Sequence, residues 1–316
     1  MISAALLLVF AVTAGTWGAA VLTQSTWTTS APRLAIAAWQ ALASSILLSL
    51  LAGGVALSIG FQHARGDIAR LFDLCAENLK HGYSSPGGAF LATLGLATAG
   101  VLLGRILWCA LRVSLQDRRE RRARVAVLDV IGRSGIVPGV LVLEHEAPYA
   151  FCIGGKRHRV VVTSGLLATL DQREIDAVLA HEAAHLRQRH HLALVTCRAL
   201  FGALAPFFPA FRAAMRHVHL FAELSADDCA RRQIGARSLR SALERLAVLP
   251  SPTGAMAASG SDVEQRLRRL DDNAVTLRGH IAIFTGLAIA TLVVIPLSLV
   301  AAPAVAMAWK GICLIG

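Results

Sequence analysis

Four stretches of the chain are apolar and almost free of charge over long runs: residues 2–22, 34–60, 87–110 and 281–302. An α-helix needs about 20 such residues to cross the hydrocarbon of a bilayer. The pattern therefore predicts four transmembrane helices. The polar positions between them set the expected orientation. No Lys or Arg precedes Arg33, whereas a secretory signal carries a basic n-region. The first run is expected to be a retained span with its N-terminus outside. The second is entered through the turn-like Ser30-Ala31-Pro32-Arg33, and a loop of mixed charge, Phe61 to Pro86, follows it. The third carries Arg105 near its far end, where the side chain is expected to snorkel to the headgroups. Arg112 and the cluster Arg118, Arg119, Arg121, Arg122 and Arg124 come next. Arginine excess beside a span marks the cytoplasmic side. The last run is expected to bend at Pro296 and to leave a short outer tail. The expected organisation is a membrane domain over 1–113, a cytoplasmic domain over 114–279, and a fourth span with its tail over 280–316.

Between the third and fourth runs the pattern changes to short elements. Val125–Val130, Val140–Leu143 and His158–Thr163 are rich in β-branched residues and separated by Gly/Pro turns, which predicts strands. Asp171 and Glu174 suit the first turn of a helix. Met215 to Gly235 and Ser238 to Leu249 read as helices, 250–260 as a small-residue linker, and Val263 to Leu270 as a short basic helix. Residues 192–211 are apolar enough to be a span by length, but they contain Arg198, Pro206 and Pro209. The fold class expected is an α-helical membrane protein with an inserted α+β domain.

Composition agrees with this. The chain is 55% hydrophobic and 16% charged, beyond the usual soluble balance. The net charge of +11 could also fit nucleic acid. Yet no aromatic residues are interleaved with the arginines, so a lipid surface is favoured over direct nucleic-acid binding. The six cysteines (75, 109, 152, 197, 229 and 313) form no C-x-x-C pair; most are expected to be buried free thiols.

The candidate chemistry sits at His181-Glu182-Ala183-Ala184-His185, inside a run with no Gly or Pro. On a helix, residues four apart are offset by only about 40° and about 6 Å along the axis. Two imidazoles at that spacing can hold one Zn²⁺, and Glu182 can serve a metal-bound water as general base. A catalytic site needs a third ligand and an open position. His191 matches the spacing of an all-histidine site, but that site needs a Gly where this chain has Gln188. If the helix continues, His191 lies about 15 Å up the axis. The favoured third ligand is Glu223, with Asp227 four residues on positioned to accept the free ring N–H of a ligand histidine. His190, His191, His217, His219 and Arg231 are candidates for stabilising an oxyanion. An extended substrate could pair along Val160–Val162.

His158 to Leu167, then Glu174 to His185, then Glu223-x-x-Ala-Asp227 together resemble the gluzincin membrane peptidases. The order of three spans, a zinc domain and a final span resembles the BlaR/MecR family of sensor-transducer metallopeptidases, over nearly the whole chain. The resemblance implies a gluzincin-like domain with one catalytic Zn²⁺ on His181, His185 and Glu223, Glu182 as base, and Asp227 behind a ligand. It also implies a multi-pass protein of the bacterial cytoplasmic membrane that cleaves a cytoplasmic repressor of winged-helix type, an antirepressor role in signal transduction. A homo-oligomer is compatible with it. No Ser-x-x-Lys is present, so the likeness is to short forms without the penicillin-binding sensor domain. The related heat-shock membrane gluzincins imply an alternative, quality control of membrane proteins; a non-catalytic zinc receptor or scaffold is the third reading. If 192–211 crossed the bilayer once, His181 and Glu223 would lie on opposite sides. The segment is therefore expected to be a buried or interfacial helix.

Overall fold

The computed structural model describes residues 2–58, 88–134, 139–154, 158–248, 260–271, 277 and 279–312. The expected loop 61–86, the linker 250–259, Cys75 and Cys313 lie outside these residues. Among the described residues, four helices are long and apolar enough to cross a membrane: α1 (Ile2–Gln24), α3 (Pro32–Ser58), α4 (Gly88–Ile131) and the last, α11 (Gly279–Ile312). A short helix α2 (Trp27–Ser30) joins the first two. Proline at the first position of α3 suits a helix start, because its missing N–H has no intrahelical partner there.

α3 is the hub of the membrane part, packed against α1, α4 and α11. Its buried positions Ala35, Trp39, Leu42, Ala43 and Ile46 repeat at three and four residues and draw one face to the centre. Where α3 crosses α4, Gly54 and Gly95 bring the two backbones together. A Cβ on Gly95 would lie 2.5 Å from the Gly54 carbonyl oxygen, so any side chain there forces the helices apart.

α4 corrects two expectations. It runs 44 residues without a break, so Val125–Val130 is helix rather than strand, and the domain boundary drawn at 113/114 falls inside one helix. No Gly or Pro occurs between Gly104 and Gly132, and pairs at four-residue spacing support the exposed part: Asp117–Arg121 at 2.7 Å and Glu120–Arg124 at 3.8 Å. Val125 and Leu128, three apart, pack onto the sheet. β-branched residues marked burial here, and tertiary packing decided the element. Arg105 is also placed differently. Its guanidinium donates to the carbonyls of Gly202 (2.7 Å) and Ala203 (2.9 Å), the last turn of a helix whose carbonyls lack intrahelical donors.

The sheet has the order β1-β2-β4-β3, with β1 Arg133–Ser134, β2 Val140–Leu143, β3 Ala150–Ile153 and β4 Arg159–Thr163. β2 and β4 are parallel; β3 runs antiparallel to β4. β4 therefore has both edges taken, and Val160–Val162 are buried at its centre. The outer strands, with an edge open to an extended chain, are β1 and β3, not the Val160–Val162 stretch of β4.

α5 (Ser164–Thr169) follows β4 with Thr163 Oγ1 accepting from the Leu166 N–H. α6 (Gln172–Arg187) starts with a reciprocal capping box between Asp171 and Glu174. α7 (His190–Leu204) and α8 (Ala210–Ile234) form a hairpin that packs against α3 and α4. Trp39, Phe201 and Phe211 make its aromatic core, with ring centroids 5.3 to 5.9 Å apart. At the tip Phe208 occupies the space left by Gly15, near the middle of α1. Residues 192–211 thus form a buried helical turn-back packed among the long apolar helices. α9 (Ala236–Ala247) and α10 (Gly260–Asp271) close the domain. Among the described cysteines Cys197 is buried, and Cys109, Cys152 and Cys229 are half-buried free thiols.

Candidate metal centre

His181 and His185 occupy successive turns of α6, and Glu223 reaches them from α8, which packs along α6. His181 Nε2 lies 3.1 Å from His185 Nε2 and 3.3 Å from Glu223 Oε2; His185 Nε2 lies 3.5 Å from Glu223 Oε1. Ligands of a tetrahedral zinc at about 2.0–2.1 Å stand roughly 3.4 Å apart. The separations are close to that edge length, the two contacts to Glu223 being made by different carboxylate oxygens, and two imidazoles with one carboxylate are a catalytic-zinc donor set. Among the described residues this is the one group able to hold a metal.

The other ring nitrogens each face a polar atom, His181 Nδ1 at close range but off the line of a well-aligned hydrogen bond. His181 Nδ1 is 2.9 Å from Asp227 Oδ1, and His185 Nδ1 is 2.9 Å from His190 Nδ1. Each ligand histidine thus has a partner behind it that directs the Nε2 lone pair into the site. Burial alone disfavours protonated His181, but Asp227 and Glu223 outweigh it and raise the pKa to about 10. Burial together with the neighbouring His181 and His190 lowers His185 to about 3, against Glu223.

Glu182 faces the cleft. Burial pushes its carboxyl up from the usual range, and the neighbouring Glu223 adds to the shift. Cys152 of β3 hydrogen-bonds to it and favours the ionised form. The Cys152 thiol is itself pushed well up, by burial first and then by Glu182, so it stays protonated as a donor. Cys152→Ala is therefore expected to raise the Glu182 pKa further. The acid limb of a pH–activity profile should move to higher pH; an unmoved limb sinks this contact.

Sequence reading missed Arg266. From α10 its guanidinium grips Asp227 at 2.8 Å twice and reaches Glu223 Oε2 at 3.1 Å. Arg269, one turn on, pairs with Asp228 at 2.7 Å. A signal was present: Arg266 sits between Val263 and Leu270 on the apolar stripe of an amphipathic helix, where a charge must find a partner. The five oxyanion candidates divide. His217 and His219 line the cleft, His219 one turn before Glu223. His190 lies behind His185, His191 packs against Gly154, and Arg231 is not at the cleft. His191 is kept from the metal, but not by a continuing helix. α6 ends at Gln188, Arg189 takes a left-handed conformation (φ 51°), and α7 begins anew.

The cleft is about 1050 Å³. Ala150, Phe151 and Cys152 of the β3 edge form one wall, the metal residues the floor, and Leu239, Leu243 and Leu246 of α9 an apolar side. An extended chain paired with β3 would lie in the same cleft as His181 and His185. That is the layout of a zinc peptidase.

Comparison with known proteins leads to the same class. Residues 115–225, about a third of the chain, match the model of Peptidase family M48, a stretch that begins within the third of the four candidate membrane helices. The matches support a metalloprotease. Similar proteins include the Protease HtpX homolog of Desulforapulum autotrophicum, 30% identical over 129 residues (37% of this chain, 42% of the relative), and that of Acidiphilium cryptum, 39% identical over 69 residues (21% and 24%). Protease HtpX of Legionella pneumophila is 38% identical over 82 residues (25% and 29%). The chain thus matches less than half the length of these curated relatives. No solved structure matches it.

Glu223→Ala is expected to empty the site. Zinc affinity should fall by more than the roughly 100-fold that loss of a partner behind a ligand costs. Metal analysis of the purified chain checks this; unchanged zinc would refute the third ligand.

Proposed function

We propose that the chain is a membrane-embedded zinc endopeptidase that cuts extended protein segments presented close to the bilayer surface. The observation that carries this is the position of the metal residues. His185 is two hydrogen-bonded side chains away from Gln188, which Arg33 contacts at the first turn of α3 (2.9 Å). The cleft therefore opens beside the end of the membrane bundle, and the hairpin α7–α8, packed against α3 and α4, carries Glu223. A bound zinc supplies a Lewis acid for the scissile carbonyl and lowers the pKa of its water. Glu182 takes the proton from the attacking water and delivers it to the leaving amine. The β3 edge holds the substrate backbone through main-chain hydrogen bonds, and the leucines of α9 receive an apolar side chain beside the cut.

The likeness to HtpX proteases favours damaged membrane proteins as substrates, the quality-control reading. The signalling reading, release of a winged-helix repressor on the cytoplasmic face, is supported by the order of spans around the domain and by the arginines that follow the third span. Both place the peptidase domain on the cytoplasmic side, with the termini outside. The test is a comparison of new protein N-termini in cells carrying the wild type or an inactive chain. Cuts within a few residues of the ends of membrane spans support quality control. A single cut in a soluble regulator supports signalling. No difference in N-termini between the two cells refutes the endopeptidase reading.

A further inference from the structure

His190 has no place in the reaction described above, yet it is buried, only 4% exposed, with its ring edge-on to His185 at 4.7 Å between centroids. Its hydrogen bonds can be given a direction by following donors inward from the membrane. Arg33 Nε–H donates to Gln188 Oε1 at 2.9 Å, and the Ser225 hydroxyl donates to the same oxygen. Gln188 Nε2 donates in turn to the Ser225 carbonyl at 3.3 Å, which fixes the amide the same way round. Gln188 Oε1 can only accept, so His190 Nε2, 3.0 Å away, carries a hydrogen. In a neutral imidazole the other nitrogen is then a lone pair. His190 Nδ1 accepts, His185 Nδ1 donates to it, and the Nε2 of His185 is left free to bind a cation.

We propose that His190, Gln188 and Arg33 are positioning residues for the metal, a hydrogen-bonded chain that fixes the tautomer of His185 and ties it to the first turn of the second span. The left-handed turn at Arg189 makes the chain possible. It ends α6 and folds His190 back beside the ligand one turn earlier. The two ligand histidines are backed by different side chains: His181 by Asp227 of α8, and His185 by His190, which Gln188 connects to Arg33 of α3. The hydrogen-bonded chain from Arg33 reaches His185 and not His181, which links the orientation of this ligand to the seating of α3.

This inference rests on the metal reading of His181, His185 and Glu223, and not on the substrate. The experiment uses the full chain in detergent, with zinc affinity measured by competition against a chromophoric chelator and the ligand field read from the cobalt(II)-substituted spectrum. His190→Leu is expected to weaken zinc about 10- to 100-fold, the usual cost of losing a partner behind a ligand histidine. His190→Asn keeps an acceptor and a donor and should restore affinity to within a few-fold of wild type. Arg33→Gln should weaken zinc in the same direction but less. Gln40→Leu, which removes a contact from α3 to the Ala193 carbonyl at 3.3 Å off the chain, should leave affinity unchanged. Wild-type affinity and cobalt spectrum in both His190→Leu and Arg33→Gln overturn the inference, as does an equal loss in Gln40→Leu. If His190→Leu does not fold, His190→Asn and Arg33→Gln carry the test alone. Zinc binding by wild type that does not depend on Glu223 overturns the metal reading itself, and the inference with it.

Discussion

Glu182→Gln is expected to lower peptide hydrolysis by about 10²- to 10⁴-fold while leaving the zinc content of the chain unchanged. The size follows from the role. A positioned general base contributes that factor, roughly 3 to 5 kcal/mol of barrier at 1.36 kcal/mol per decade. Zinc retention follows from geometry, since Glu182 is next to His181 in sequence but is not one of the three groups whose atoms converge. Gln keeps the shape and cannot take a proton. The wild-type profile should also carry a distinctive acid limb. The base works only when ionised, and burial has raised the Glu182 pKa above the usual carboxylate range. Activity should therefore rise with pH through a value above that range, and the limb should vanish from the residual activity of the variant. Hydrolysis within a few-fold of wild type, with zinc bound, would remove Glu182 from the mechanism.

The parts of this site that were legible in the sequence are those set by local periodicity. His181, Glu182 and His185 share a helix, and their relative placement needs nothing but 3.6 residues per turn. The four apolar runs were legible for the same reason, because span length depends only on the thickness of the bilayer. Glu223 and Asp227 also sit on one face of one helix, so finding the pair required only the further supposition that α8 packs beside α6. What was not legible depends on contacts between distant segments. Arg266 is 39 residues from Asp227, and Arg33 is 155 residues from Gln188. The helical state of Val125–Val130 was misread because β-branched residues indicate burial as well as strand. There the choice was made by the sheet they pack on and by the absence of a helix breaker. The left-handed Arg189 gave no warning at all, since glycine is the residue that usually announces such a turn.

Arg266→Met is expected to be the most destabilising change near the site, costing about 3–5 kcal/mol, the usual cost of breaking a buried ion pair. Arg266 is 7% exposed and Asp227 2% exposed, so neither charge can turn to water when its partner is lost. Burial alone would push the Asp227 carboxyl up, but Arg266, helped by a hydrogen bond with His181, holds it down at about 2, against an ordinary value of 3.8. A depressed carboxylate contributes stability that is complete above its unfolded pKa and disappears as pH falls through the folded one. The Arg266 clamp should therefore hold fully above about pH 4 and fail as pH falls towards 2. Two further variants separate charge from packing. Asp227→Asn in the Arg266→Met background removes the stranded charge and should recover part of the loss, giving a non-additive cycle. Arg266→Lys keeps the charge but not the two parallel bonds, and should fall between wild type and Met. Thermal unfolding and resistance to added protease, read with and without zinc, measure all three. Because a cation also offsets Glu223, zinc should protect Arg266→Met more than it protects wild type. Equal protection, or an additive cycle, would show that Arg266 merely fills space between α8 and α10 and leaves the charge of the metal residues to balance itself.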